Sequence, residues 1–121
     1  MPDDDWLGAE IGLVERQCRQ LEPRLSDFRE LLARARDLRV RGATVEQILA
    51  YIDAPGATSA RRSLDTSLRA YTRAVARLRG EIVRHLVDHQ GVSLTEVGTL
   101  LGVSRQVAST LYRSRSSGPS R

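Results

Sequence analysis

The chain has 121 residues and a mass of 13.5 kDa, of which 40% are apolar, 28% charged and only 4% aromatic. So aliphatic a composition favours helices packed on helices over a sandwich or barrel. No apolar run approaches the ~20 residues of a membrane span. The acidic start, MPDDDW, resembles neither a secretory signal nor a transit peptide, and the lone Cys18 rules out a disulfide framework and a Cys-rich metal site, so a cytoplasmic protein is expected.

All 19 basic side chains are Arg, which reads as codon bias in a GC-rich genome. Residues 1–57 carry a net charge of −3 and residues 58–121 one of +7. That asymmetry suggests a polyanion partner for one end only.

Asp3, Asp4 and Asp5 offer an N-cap and complement a helix dipole. Apolar or small residues then recur at Leu7, Ile11, Val14, Cys18, Leu21, Leu25, Phe28, Leu32 and Ala35, in alternating steps of 4 and 3. This heptad seam predicts one long, coiled-coil-like helix over about 5–40. Pro23 lies opposite the seam, where either the helix kinks or two helices meet with Pro23 in a first turn; the kept phase favours one kinked helix. In heptad letters Ile11, Cys18, Leu25 and Leu32 are a, and Glu15, Glu22, Arg29 and Arg36 are e. A parallel homodimer would set Glu10 on Glu15 and Arg24 on Arg29, so the seam is expected to pack antiparallel, within the chain or across a dimer.

Gly42 ends this helix, and Thr44 caps a short one, Val45 to about Ile52, with Glu46 in its first turn. Pro55 and Gly56 read as a loop, and Thr58 or Ser59 as the start of a second long helix. Leu64, Leu68, Tyr71, Val75, Leu78, Ile82 and Leu86 mark its apolar stripe, with Gly80 a candidate bend or boundary. Arg62, Arg69, Arg73 and Arg77 lie on its other face, as a solvated stripe, a match for the acidic first helix, or a track for DNA.

Gly91 closes the second long helix, and Ser93 with Glu96 forms a capping box for a two-turn helix, 94–101. Gly102 suits a positive φ in a tight turn, and small Gly98 permits close contact. Ser104 caps a last helix, Arg105 to about Arg113. Val97, Leu101, Val103, Ala108 and Leu111 supply a shared core, backed by Ile82, Val83, Leu86 and Val87. Arg105, Gln106, Ser109, Thr110 and Arg113 are left outside, with no acidic residue among them. Arg can reach guanine and Gln adenine in the major groove.

The segment LTEVGTLLGVSRQVASTLYR resembles the helix-turn-helix of bacterial transcriptional regulators, and its end is similar to the C-terminal DNA-binding segment of serine resolvases and invertases. The likeness covers about a sixth of the chain. It departs from the pattern at Val107–Ala108, where the small residue more often comes first. The expected fold is all-α: long helices (1–79, dimerisation or packing) precede a three-helix unit (80–113) that the resemblance makes DNA-binding, with nothing after it to form a wing and a Ser-, Arg-, Gly- and Pro-rich tail (114–121) expected to be disordered. The expected function is sequence-specific binding of double-stranded DNA by a small homodimeric transcriptional regulator, nucleoid-associated when bound. Ser104, Arg105, Gln106, Ser109, Thr110, Arg113 and Arg115 would be its DNA contacts. The alternative is a helical adaptor that docks another protein through the last helix pair, and the N-terminal helices could also hold a protein partner.

No catalytic pattern stands out. His85 and His89 share a helical face, but the metalloprotease pattern needs Glu where Leu86 stands. No nucleophile motif and no phosphate-binding Gly-rich loop is present. Neither an enzyme, a metal nor a cofactor is expected.

Overall fold

The computed structural model describes residues 5–114. Within them the protein is all-helical, with five helices and no strand. They are α1 (Trp6–Val40), α2 (Val45–Ile52), α3 (Pro55–Gln90), α4 (Leu94–Leu101) and α5 (Arg105–Ser114). Asp3, Asp4, Arg115 and the expected disordered tail beyond Ser114 lie outside the described residues. Ser114 itself belongs to α5.

α1 runs unbroken through Pro23, as the unbroken phase of the seam predicts. It ends at Gly42, whose φ of +101° lets Ala43 donate back to the Leu38 carbonyl at 3.0 Å. Thr44 caps α2 as expected, and the cap is reciprocal. The Gln47 amide donates to Thr44 Oγ1, and the Thr44 amide to Gln47 Oε1. Glu46 stands in the first turn as expected, and Gln47 completes the capping box.

The expected loop at Pro55–Gly56 is helix instead. Pro55 is the first residue of α3, where its fixed φ suits the helix and its missing N–H would have had no partner. The Thr58 amide donates to Ala54 O at 2.9 Å, closing the first turn. Gly80 is likewise no boundary, because α3 continues through it. It is buried, and a Cβ there would stand 3.3 Å from the Leu111 carbonyl oxygen. The small residue makes room for α5.

The chain forms two units whose composition differs from a division at 79/80. One joins residues 5–14 to 73–114, and the other holds 15–72. In the first, Arg77 Nε donates to both carboxylate oxygens of Glu10, at 2.9 and 3.1 Å. One member of the Arg stripe therefore pairs with the acidic first helix. That pairing and the hydrogen bonds push the Arg77 pKa up from its ordinary value. Trp6 lies on His85 with ring centroids 5.3 Å apart, and His85 stacks on His89 at 5.1 Å.

In the second unit Ala35 and Ala57 are buried, and Leu21, Phe28 and Leu31 of α1 are half-buried. The seam is therefore covered on one side only. Its d line (Leu21, Phe28, Ala35) turns inward, while its a line (Cys18, Leu25, Leu32) is exposed, Leu25 at 49%. A heptad pattern states that a helix has a two-line apolar seam, and a single chain covers one line of it. Leu68 of α3, expected in the apolar stripe, is exposed as well.

Candidate functional site

The site grows from the short helices of the first unit. Ser93 and Glu96 form the expected capping box: the Glu96 amide donates to Ser93 Oγ, and the Ser93 amide to Glu96 Oε1, both at 3.1 Å. α4 then runs for two turns and stops at Gly102, which is left-handed with φ 71° and ψ 32°. Val103 N–H donates to the Gly98 carbonyl at 2.8 Å and Gly102 N–H to that of Thr99 at 3.3 Å. These two bonds are the Schellman closure, which a residue with a Cβ would strain.

Gly98 makes the turn tight. A Cβ built there would stand 2.7 Å from Val103 O, 3.2 Å from Ser104 C and 3.3 Å from Arg105 N. The backbone entering α5 thus lies directly on α4. Ser104 caps α5, its Oγ accepting from the Val107 amide at 3.1 Å.

The core beneath is small and apolar. Val83, Val97 and Ala108 have no exposed surface, and Leu86, Val87, Val92, Leu94, Leu101, Leu111 and Tyr112 pack around them. Seven of the nine expected residues are among them, Val92, Leu94 and Tyr112 are additions, and two expected residues fall outside. Val103 is half-buried outside the cluster, and Ile82 lines a surface hollow with Trp6 and Leu7.

Tyr112 anchors α5 to α3. Its hydroxyl donates to Asp88 Oδ1 at 2.8 Å, Arg84 sits over its ring at 5.5 Å, and Arg84 pairs with Asp88 at 3.6 Å. The hydrogen bond to Asp88, with the charge of that carboxylate, pushes the Tyr112 pKa up. A raised phenol pKa favours the protonated form in the folded state. The contribution is therefore complete below the ordinary phenol value of about 10 and is lost as pH rises through the raised one. Tyr112→Phe should remove that alkaline loss. Melting temperature followed from pH 8 to 12 should fall less steeply in the variant than in the parent.

The outer face of α5 follows from which residue is inside. Ala108 is fully buried and Val107 is 43% exposed. The departure at Val107–Ala108 thus still leaves the small residue inward. At 100° per residue, Gln106, Thr110 and Arg113 lie opposite the buried Ala108 and the half-buried Leu111 and Tyr112. All three are exposed, Arg105 is exposed at the first turn, and Ser109 is half-buried at the edge. The face is ordered by its own bonds. Arg113 Nη1 donates to Ser109 Oγ at 2.7 Å, and Thr110 Oγ1 donates to the Gln106 carbonyl at 3.0 Å. Ser104, Arg105, Gln106, Ser109, Thr110 and Arg113 thus share one helix and its cap, whereas Arg115 lies outside the described residues. Exposed Val107 was missing from the expected set. The inverted order of the Val–Ala pair was its signal in the sequence.

Among the described residues no group of three or more His, Cys, Asp or Glu is placed to hold an ion. No helix among them is long and apolar enough to cross a membrane.

The chain matches no protein-family model, no curated protein and no solved structure.

Proposed function

We propose that this protein binds double-stranded DNA sequence-specifically, as a small transcriptional regulator that lays α5 in the major groove. One observation carries the reading. α4 and α5 meet through a glycine turn so close that Gly98 has no room for a Cβ, and the second helix turns outward a face of Gln106, Thr110 and Arg113. Such a helix pair is the geometry by which a helix-turn-helix carries its second helix to base edges. Gln106 and Arg105 in the first turn are the base readers, and Ser109 and Thr110 follow one turn on. Ser104 at the helix N-terminus and Arg113 serve the phosphates, joined by Arg115. No carboxylate lies on α5 to repel the polyanion.

Two variants divide these roles. Gln106→Ala should cost about 1–3 kcal/mol on the preferred site and relax the preference at one base pair. Arg113→Ala should weaken binding to all sequences alike and flatten the salt slope by about one unit. Binding isotherms on a selected site and on random duplex, at several salt concentrations, read both effects. Equal losses on the two DNAs would make α5 a backbone clamp rather than a reader.

A second reading has its own support. Leu100 is 67% exposed, and Val107 adds apolar surface on the helix pair. These would suit an adaptor that docks α4 and α5 on another protein. Absence of any duplex binding at low salt would decide for the adaptor.

A further inference from the structure

We propose that α1, between Glu15 and Arg36, carries a self-docking stripe that takes a second copy of this chain in antiparallel orientation. The inference does not rest on DNA binding, and either can fail alone.

Three observations converge. First, Cys18, Leu25 and Leu32 are exposed and seven residues apart, so they form one line along the helix. The d line beside them is occupied within the unit, as Leu21, Phe28 and Ala35 are half-buried or buried. Second, the exposed line is edged by Glu15, Glu22, Arg29 and Arg36, all exposed. None of the four takes part in an ion pair among the described residues. Third, their order along the helix is Glu, Glu, Arg, Arg. This edge is complementary to itself only when the second copy runs the other way.

A two-fold axis at Leu25 satisfies both the apolar line and the charged edge. Leu25 then meets the partner's Leu25, and Leu32 meets the partner's Cys18. Glu22 comes level with the partner's Arg29 and Glu15 with the partner's Arg36, each to within one residue, or about 1.5 Å of rise. Symmetry doubles each pair, so one interface holds four opposite-charge pairs around an apolar line. A parallel pairing would instead set Glu on Glu and Arg on Arg. The exposed Val45, Leu49 and Leu68 of the same unit have no such charged edge in the sequence.

The 121-residue chain provides the test. Light scattering at micromolar concentration should give about twice 13.5 kDa; a monomer at all concentrations would overturn the proposal. Glu22→Arg should weaken self-association at least tenfold, and Glu22→Arg with Arg29→Glu should restore it. If both variants associated like the parent, another surface would hold the dimer. Orientation is read with a short bis-maleimide. In the antiparallel dimer the two Cys18 residues stand about 21 Å apart along the helices, fourteen residues of rise, and the parent should not cross-link. Cys18→Ser with Leu25→Cys places one thiol on each side of the axis and should cross-link efficiently. Cross-linking of the parent through Cys18, or its absence in the Leu25→Cys variant, would refute the antiparallel arrangement.

Discussion

Gly98→Ala should destabilise the protein by about 3 kcal/mol, from one added methyl group. The new Cβ would stand 2.7 Å from the Val103 carbonyl oxygen, with backbone atoms of Ser104 and Arg105 just beyond. All three neighbours are main chain, so no side chain can swing aside. Relief requires moving the start of α5 away from α4, which pulls Ala108 out of contact with Val97 and Val83. Against a typical domain stability of about 5–15 kcal/mol, such a loss is large. Gly12→Ala is the matched control. Gly12 lies inside α1 with nothing within 4 Å of its would-be Cβ, so alanine there should stabilise by about 0.5–1 kcal/mol. Urea denaturation of the two variants should show shifts of opposite sign. A Gly98→Ala protein as stable as the parent would mean that α4 and α5 do not touch as described.

Val83→Asp should be harsher still, at about 4 kcal/mol or more. Val83 is fully buried where α3 meets α4 and α5, among aliphatic side chains. The side chains packed in this cluster are aliphatic apart from Tyr112, whose hydroxyl is already given to Asp88. The carboxylate must then either enter an apolar site or take up a proton, and both cost stability. Leu100→Asp makes the contrast, because Leu100 is largely exposed and its substitution should stay within about 0.5 kcal/mol of the parent. Thermal melts of both variants test the claim. If Val83→Asp melted like Leu100→Asp, the core would not be where the buried residues place it.

What could be read in the sequence was what depends on a few neighbouring residues. The Ser93–Glu96 box, the left-handed Gly102 and the Ser104 cap are each decided within four or five residues, and all three formed. Gly98 was legible too, since a small residue four before a turn glycine has a steric meaning. Pro55 was misread because Pro–Gly signals a turn, while proline at a helix start carries the same letters. Gly80 signals a bend or boundary in the sequence, whereas its packing reason, the approach of the Leu111 carbonyl, depends on a residue 31 positions away. The seam was found but not its orientation. The 4–3 spacing names the apolar lines of α1 but cannot say which one is left bare. On α5 the outward set followed once Ala108 was seen to face the core, and it gained Val107.

α2 differs from α4 in a way that governs how the protein opens. Both helices are eight residues long, and both begin with a reciprocal cap. Yet α4 buries Val97 and Gly98, whereas α2 buries nothing, and its Val45 and Leu49 lie largely in water. Two turns of helix are too short to persist on propensity alone, so α2 is held by its Thr44–Gln47 cap and by half-covered Ile48, Tyr51 and Ile52. Its amide protons should therefore exchange through a small local fluctuation, while those around Val83 and Val97 wait for global unfolding. The same fluctuation would loosen the hydrogen bond from Arg39 to the Ala43 carbonyl and bare the peptide bonds after Arg39 and Arg41. Limited digestion by trypsin should start there, leaving the segment from residue 42 onward, which holds α2 to α5, as the first large fragment.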